Sequence, residues 1–172
     1  MNVELRKWKL KDASDLAEII SNKKVQDNLR DGIPYPYTIK DAEFFINDML
    51  NADSDKIYAF AITANGELAG SIAVYRQKNI HYRTGELGYY IGEKFWGKGI
   101  GTEAVKRICG FIFENTDIIR IFAEPFSYNK ASCRVLEKSG FKYEGTLYSN
   151  AVKNDRITDM KMYALIKKCR CI

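Results

Sequence analysis

The chain has 172 residues, 46% hydrophobic and 28% charged, a length and balance that fit one globular domain over 1–172 with a sizeable core. No apolar run in it approaches the ~18 residues of a helical span, so no membrane partner is expected. The net charge of +5 suits a polyanionic ligand. It is scattered, without the basic–aromatic alternation of an RNA platform, and no nucleic-acid partner is expected.

In chain order, a strand pattern over 3–8 leads into a helix over 11–21, with Ala13, Leu16, Ala17 and Ile20 on one face. A short helix near 22–30 and the loop G-I-P-Y-P-Y precede a helix at 39–52, where Ala42, Phe45, Ile46 and Met49 recur at helical spacing. Strands at 57–64 and 67–76 flank Asn65-Gly66, a strong hairpin signal. A strand follows over 83–91, with Gly88 expected to mark a bulge. The next helix, 101–115, carries Val105, Ile108, Cys109, Ile112 and Phe113 in one apolar stripe. A strand at 118–124, a helix at 129–139 and two strands at 141–152 and 156–166, turning at Asn154-Asp155, complete the chain. Antiparallel hairpins thus surround a central βαβ unit, which should be parallel and right-handed.

The charged opening M-N-V-E-L-R-K-W-K-L-K-D reads as neither a signal peptide nor an anchor, and the expected compartment is the cytoplasm. The cysteines Cys109, Cys133, Cys169 and Cys171 lack zinc or redox spacing, so no metal is expected. The closing C-R-C-I matches a prenylation box only in its cysteine; its arginine fits poorly.

The chemical signal lies in G-E-K-F-W-G-K-G-I-G-T-E-A-V-K, from Gly92 to Lys106. It fits an ATP-type P-loop until Gly99 stands where the magnesium-binding hydroxyl belongs. It fails the dinucleotide fingerprint because Gly97, Gly99 and Gly101 are spaced two and two. What both templates share survives: a Gly-rich turn between strand and helix aims free N–H groups at an anion.

Four stretches then carry a resemblance. They are R-K-W-K-L-K-D-A-S-D-L, G-E-L-G-Y-Y-I-G-E-K-F-W-G-K-G-I-G-T-E-A, N-K-A-S-C-R-V-L-E-K-S-G-F-K-Y-E-G-T-L and D-M-K-M-Y-A-L-I. In order and spacing the chain resembles the GCN5-related N-acetyltransferases (GNAT), in their RimJ/RimL branch. The resemblance implies a mixed α/β fold: a mostly antiparallel sheet of about seven strands with one splayed parallel pair, flanked by roughly four to five helices. It also implies acetyl-CoA as co-substrate. The pyrophosphate turn falls on Trp96, Gly97, Lys98, Gly99, Ile100 and Gly101, continuing to Thr102. Trp96 departs from the general Gln/Arg pattern, although an aromatic residue there is usual in this branch. Lys98 is either an added point charge or a solvated lysine. Pantetheine would pair with backbone at Tyr89 and Ile91, whose side chains need not take part. Asn129 matches the family's pantetheine-arm asparagine, and by itself reads as a helix N-cap.

The implied reaction is amine attack on a thioester. A free α-amine has a pKa of ~7.7–8.0 and lysine ~10.4, so at pH 7 roughly a tenth of the first but about one part in two thousand of the second is neutral. The expected acceptor is therefore an α-amine, such as a protein or peptide N-terminus, with a small-molecule amine or a non-catalytic acetyl-CoA sensor as alternatives. Candidate bases are Glu86, directly or through water, and the lone His81. A backbone N–H near Ile91 would hold the oxyanion. The family's thiolate-protonating tyrosine position is Leu136, and its RimL-type acidic base falls near Ala151. Ser132 is then either the acid for the leaving sulfur or a helix cap. Tyr35, Tyr37 and Tyr148 are candidates for the amine side, and a homodimer stays open.

Overall fold

The computed structural model describes residues 1–168; Cys169 and Cys171, and with them the C-R-C-I stretch, lie outside the described residues. The elements run β1 Val3–Arg6, α1 Ala13–Ile20, α2 Lys23–Gln26, α3 Ile39–Asn51, β2 Ile57–Ala64, β3 Glu67–Arg76 and β4 Thr84–Ile91. They continue with α4 Ile100–Asn115, β5 Arg120–Ala123, α5 Lys130–Lys138, β6 Lys142–Lys153 and β7 Arg156–Ile166. The strands form one sheet in the order β1-β2-β3-β4-β5-β7-β6. Every neighbouring pair is antiparallel except β4–β5. This is the GNAT architecture the motifs implied.

Each face of the sheet has its own core, because strand side chains alternate between faces. Ile72, Val74 and Leu87 pack with α4 residues Val105, Ile108 and Ile112 and with Leu136 of α5. On the other face Ala61 and Leu68 pack with Leu16 and Ile20 of α1 and Ala42 and Ile46 of α3. The apolar stripes of α1, α3 and α4 supply these contacts, and burial of such side chains stabilises by about 1.5–3 kcal/mol each. Where β1 gives way to α1, Arg6 donates to both carboxylate oxygens of buried Asp12 at 2.7 and 2.9 Å. Burial raises the Asp12 pKa, but Arg6 and the Lys9 amide outweigh it and hold the carboxyl below its ordinary value.

Several boundaries differ from the sequence reading. β1 ends at Arg6, and the first helix opens with a 3-10 turn at Leu10–Asp12. The helix expected at 22–30 is only Lys23–Gln26: Asp27 and Asn28 favour turn geometry, and Asn28 turns its amide back to the Lys24 carbonyl at 2.9 Å. Gly88 marks no bulge. It pairs in register with Ala73, and the irregularities fall at Ile62/Thr63 and within β6. Both expected turns form with positive φ, 52° and 87° at Asn65-Gly66, 50° and 58° at Asn154-Asp155.

Candidate active site

The site begins where the parallel pair comes apart. β4 and β5 are in register only over Thr84↔Arg120, Gly85↔Ile121 and Glu86↔Phe122. The chain then reaches Pro125, which has no amide hydrogen to give a neighbour. It stays with the β7 side instead, where Lys161 N–H donates to the Pro125 carbonyl at 2.9 Å. β4 runs on to Ile91 with one edge open. Which peptide groups face that gap follows from alternation. Thr84 accepts from Gln77, and Gly92 donates to Ala69, each at 2.8 Å. Even-numbered positions therefore turn toward β3, and the peptide groups of Tyr89 and Ile91 turn toward the gap.

At the mouth of the gap lies the Gly-rich turn. None of the backbone N–H groups from Gly97 to Thr102 has a partner within the described residues. Gly97 and Gly99 have φ of 73° and 78°, a left-handed geometry that a Cβ disfavours. Gly99 is the N-cap of α4 and supplies no capping side chain, so the helix start presents bare amides at its positive end. The Trp96 indole N–H donates to the Ile91 carbonyl at 2.7 Å, strapping the turn to the end of β4. Lys98 folds back, its ammonium 2.7 Å from the Lys94 carbonyl and over the Phe95 ring.

A cleft of about 400 Å³ joins these parts. Its lining includes Tyr89, Ile91, Trp96, Gly97, Gly99, Ile100, Gly101, Thr102, Asn129 and Ser132; Glu86 and Lys98 stand outside it. Asn129 caps α5 through its side-chain oxygen on the Ser132 N–H at 3.0 Å, and lines the cleft as well. The Ser132 hydroxyl lies 2.8 Å from the Tyr89 phenol oxygen. Arg134 and Lys138 also line the cleft. Sequence reasoning passed over both, though their i,i+4 spacing on the helix after Asn129 was a usable signal.

On the other face of the fork stand two carboxylates. Glu86 occupies the last paired position of β4, and Glu124 is the first residue beyond β5. Arg30, from the turn after α2, donates to Glu86 and lies 3.9 Å from Glu124. Burial raises the Glu124 pKa above its ordinary value, Glu86 adds to that, and Arg30 opposes it. Neither Glu124 nor Arg30 was singled out from sequence, because only the fold brings them beside Glu86.

The remaining candidates are dispersed. His81 is exposed on the turn before β4, at the end of that strand remote from the Gly-rich loop. Tyr37 is buried, donates to the Asp41 carbonyl at 3.1 Å, and is pushed up to about 12 by burial. Tyr35 and Tyr148 are exposed, Leu136 is fully buried, and Ala151 pairs with Thr158 in the β6–β7 hairpin. Among the described residues no cluster of His, Cys, Asp or Glu is arranged to hold a metal, and no helix is long and apolar enough to cross a membrane.

A sheet opened between its parallel strands, with unpaired amides at the mouth of the opening, defines an acyltransferase of the thioester-using kind. The chain belongs to the GNAT acetyltransferases: the family profile "Acetyltransferase (GNAT) domain" matches residues 2–142. It is 27% identical over 168 residues to the uncharacterized N-acetyltransferase p20 of Bacillus licheniformis, covering 95% of this chain and 92% of that one. It is likewise 27% identical over 173 residues to the putative ribosomal N-acetyltransferase YdaF of Bacillus subtilis, covering 97% and 92%. Its fold matches RimL, a ribosomal alpha-N-protein acetyltransferase solved with coenzyme A. That match has a TM-score of 0.86 and 22% identity over 97% of this chain and 95% of that one. At this identity the RimL match is a likeness of fold.

Proposed function

We propose that this N-acetyltransferase moves the acetyl group of acetyl-CoA to the α-amine of a peptide or protein N-terminus. The observation that carries the proposal is the fork. A line of backbone groups, from the unpaired amides at Gly97–Thr102 to the gap-facing N–H groups of Tyr89 and Ile91, ends beside the Glu86–Glu124 pair. The residues present fit the donor. Bare amides at a helix start suit a pyrophosphate, Arg134 and Lys138 add positive charge across the cleft, and the open edge of β4 suits an extended amide chain.

Acetyl-CoA supplies an activated carbonyl carbon; the protein supplies placement and charge. The gap-facing Ile91 N–H is the donor for the charge that builds on the carbonyl oxygen, a kind of contact worth about 10²–10³ in rate elsewhere. Glu124, with its raised pKa, takes the proton from the attacking amine, while Glu86 is neutralised by Arg30. Arg30 stands beside both carboxylates, donating to Glu86 and lying 3.9 Å from Glu124. A carboxylate is a weak base, so an acceptor already partly neutral suits it. The ~2.5 units separating an α-amine from lysine amount to about 300-fold in neutral amine at pH 7. The names of YdaF and RimL, which refer to ribosomal proteins, point to the same class of acceptor.

The test is thiol release from acetyl-CoA with an amine and peptide panel. Peptides with free N-termini and no lysine should be acetylated at least about 100-fold faster than matched peptides with blocked N-termini and free lysines. The reverse preference would overturn the α-amine assignment, and no turnover with any amine would overturn acetyl transfer itself.

A further inference from the structure

We propose that Tyr89 is a positioning residue: its phenol turns the Ser132 hydroxyl proton toward the sulfur that leaves when the acetyl group is transferred. The proposal rests on the acetyl-transfer reading above and assigns the Tyr89 side chain a task that backbone pairing does not require.

Strand parity places the Tyr89 ring on the face opposite Glu86, against the start of α5. Its hydroxyl oxygen is 2.8 Å from Ser132 Oγ and 3.3 Å from the Ser132 carbonyl oxygen. That carbonyl lies within α5, where the amide four residues on is its helical partner, and the Ser132 amide is already capped by Asn129. Both oxygens are within the phenol's reach; the serine Oγ is the nearer, at 2.8 Å against 3.3 Å, and is assigned the phenol proton. A hydroxyl that accepts from Tyr89 keeps its own proton free, and Ser132 lines the cleft. Burial holds the phenol far above its ordinary value, so Tyr89 stays a neutral donor throughout the working pH range. Leu136, buried one turn further along α5, has no polar atom to contribute.

In the transfer the amine lone pair forms the C–N bond, and the C–S pair leaves on sulfur. The surplus amine proton passes to the carboxylate face, and the thiolate is protonated from solvent after release. Ser132 donates a hydrogen bond to the departing sulfur without surrendering its proton, and Tyr89 fixes the direction of that bond. Glu86, the neighbour of the base Glu124, and Tyr89, the support of the leaving group, thus sit on opposite faces of β4.

The experiment titrates coenzyme A bound to the protein, following the ultraviolet absorbance of its thiolate, for wild type, Tyr89→Phe, Ser132→Ala and the double variant. In wild type the bound thiol should titrate below the ~8.5 of a free thiol. Each single variant should move it up by about one unit, and the double variant no further than the worse single one, as expected for a coupled pair. In parallel, kcat should fall about tenfold in Tyr89→Phe, with the KM for acetyl-CoA within about threefold of wild type. A bound-thiol titration unmoved by Tyr89→Phe, or equal additive shifts in the double variant, would sink the inference and leave acetyl transfer intact. Failure of the wild type to bind coenzyme A would sink the acetyl-transfer reading itself.

Discussion

Gly99 separates the cost of a turn from the cost of a lost ligand contact, because a matched control exists elsewhere in the chain. Gly99 and Gly66 have φ of 78° and 87°, and a Cβ built at either meets no atom within 4 Å. Valine at each position therefore carries a conformational penalty of the same kind, about 1–3 kcal/mol for a residue held in the left-handed region. For a chain of this size that lowers Tm by roughly 4–8 °C if the penalty is about 2 kcal/mol. Only Gly99→Val puts a branched side chain between bare amides and an incoming pyrophosphate. Loss of two charge-assisted hydrogen bonds, at about 1.5–3 kcal/mol each, lowers acetyl-CoA affinity by at least about 100-fold. Gly101→Ala is the mild counterpart, because its Cβ would lie 3.5 Å from Val135 and 3.7 Å from Ile91, ordinary contact distances. Calorimetry and thermal melts on the variants decide it. Equal affinities for Gly99→Val and Gly66→Val would remove this turn as the phosphate cradle.

At the fork, Glu124→Gln should abolish the acid limb of the kcat/KM profile. Arg30→Ala should move that limb to higher pH and Glu86→Gln to lower pH, because Arg30 lowers and Glu86 raises the Glu124 pKa. An acid limb unchanged in Glu124→Gln would return the role of base to Glu86 or to water. Trp96→Phe keeps an aromatic ring but removes the indole donor to Ile91, so acetyl-CoA affinity should fall about three- to tenfold with kcat little changed. Unchanged affinity by calorimetry would show that the strap does not shape the turn.

Most of the fold was legible because its signals are local. The 3.6-residue stripe of α4, the two hairpin turns and the switch from strand to Gly-rich turn each sit within one short window, and the fold has all of them where the residues implied. The misreadings were local too, and had local causes. Gly88 was read as a bulge signal, yet its pairing with Ala73 is regular; the glycine stands exposed on a strand whose other edge is open. The reading of 22–30 as helix gave too little weight to D-N-L-R-D-G, whose Asp and Asn side chains compete for the backbone.

The site was legible only in part, and the division follows from what a sequence window contains. The bare amides of Gly97–Thr102 belong to one stretch of backbone, so a single sequence window contains the whole turn. The polar pairs are tertiary: Arg30 reaches Glu86 across 56 positions, and Tyr89 reaches Ser132 across 43. No periodicity links such residues. One constraint was nevertheless available: Glu86 and Tyr89 are an odd number of residues apart on one strand, so their side chains had to point to opposite faces. Had that parity been applied, the base candidate on one face would have prompted a search of the other for a leaving-group donor. What parity could not supply is which helix covers each face: the βαβ crossover lays α4 on the Tyr89 side, where α5 joins it after β5, while α1 and α3 cover Tyr90. The pleat of β4 therefore separates Glu86 from Tyr89, and the order of helices along the chain decides what each of them meets.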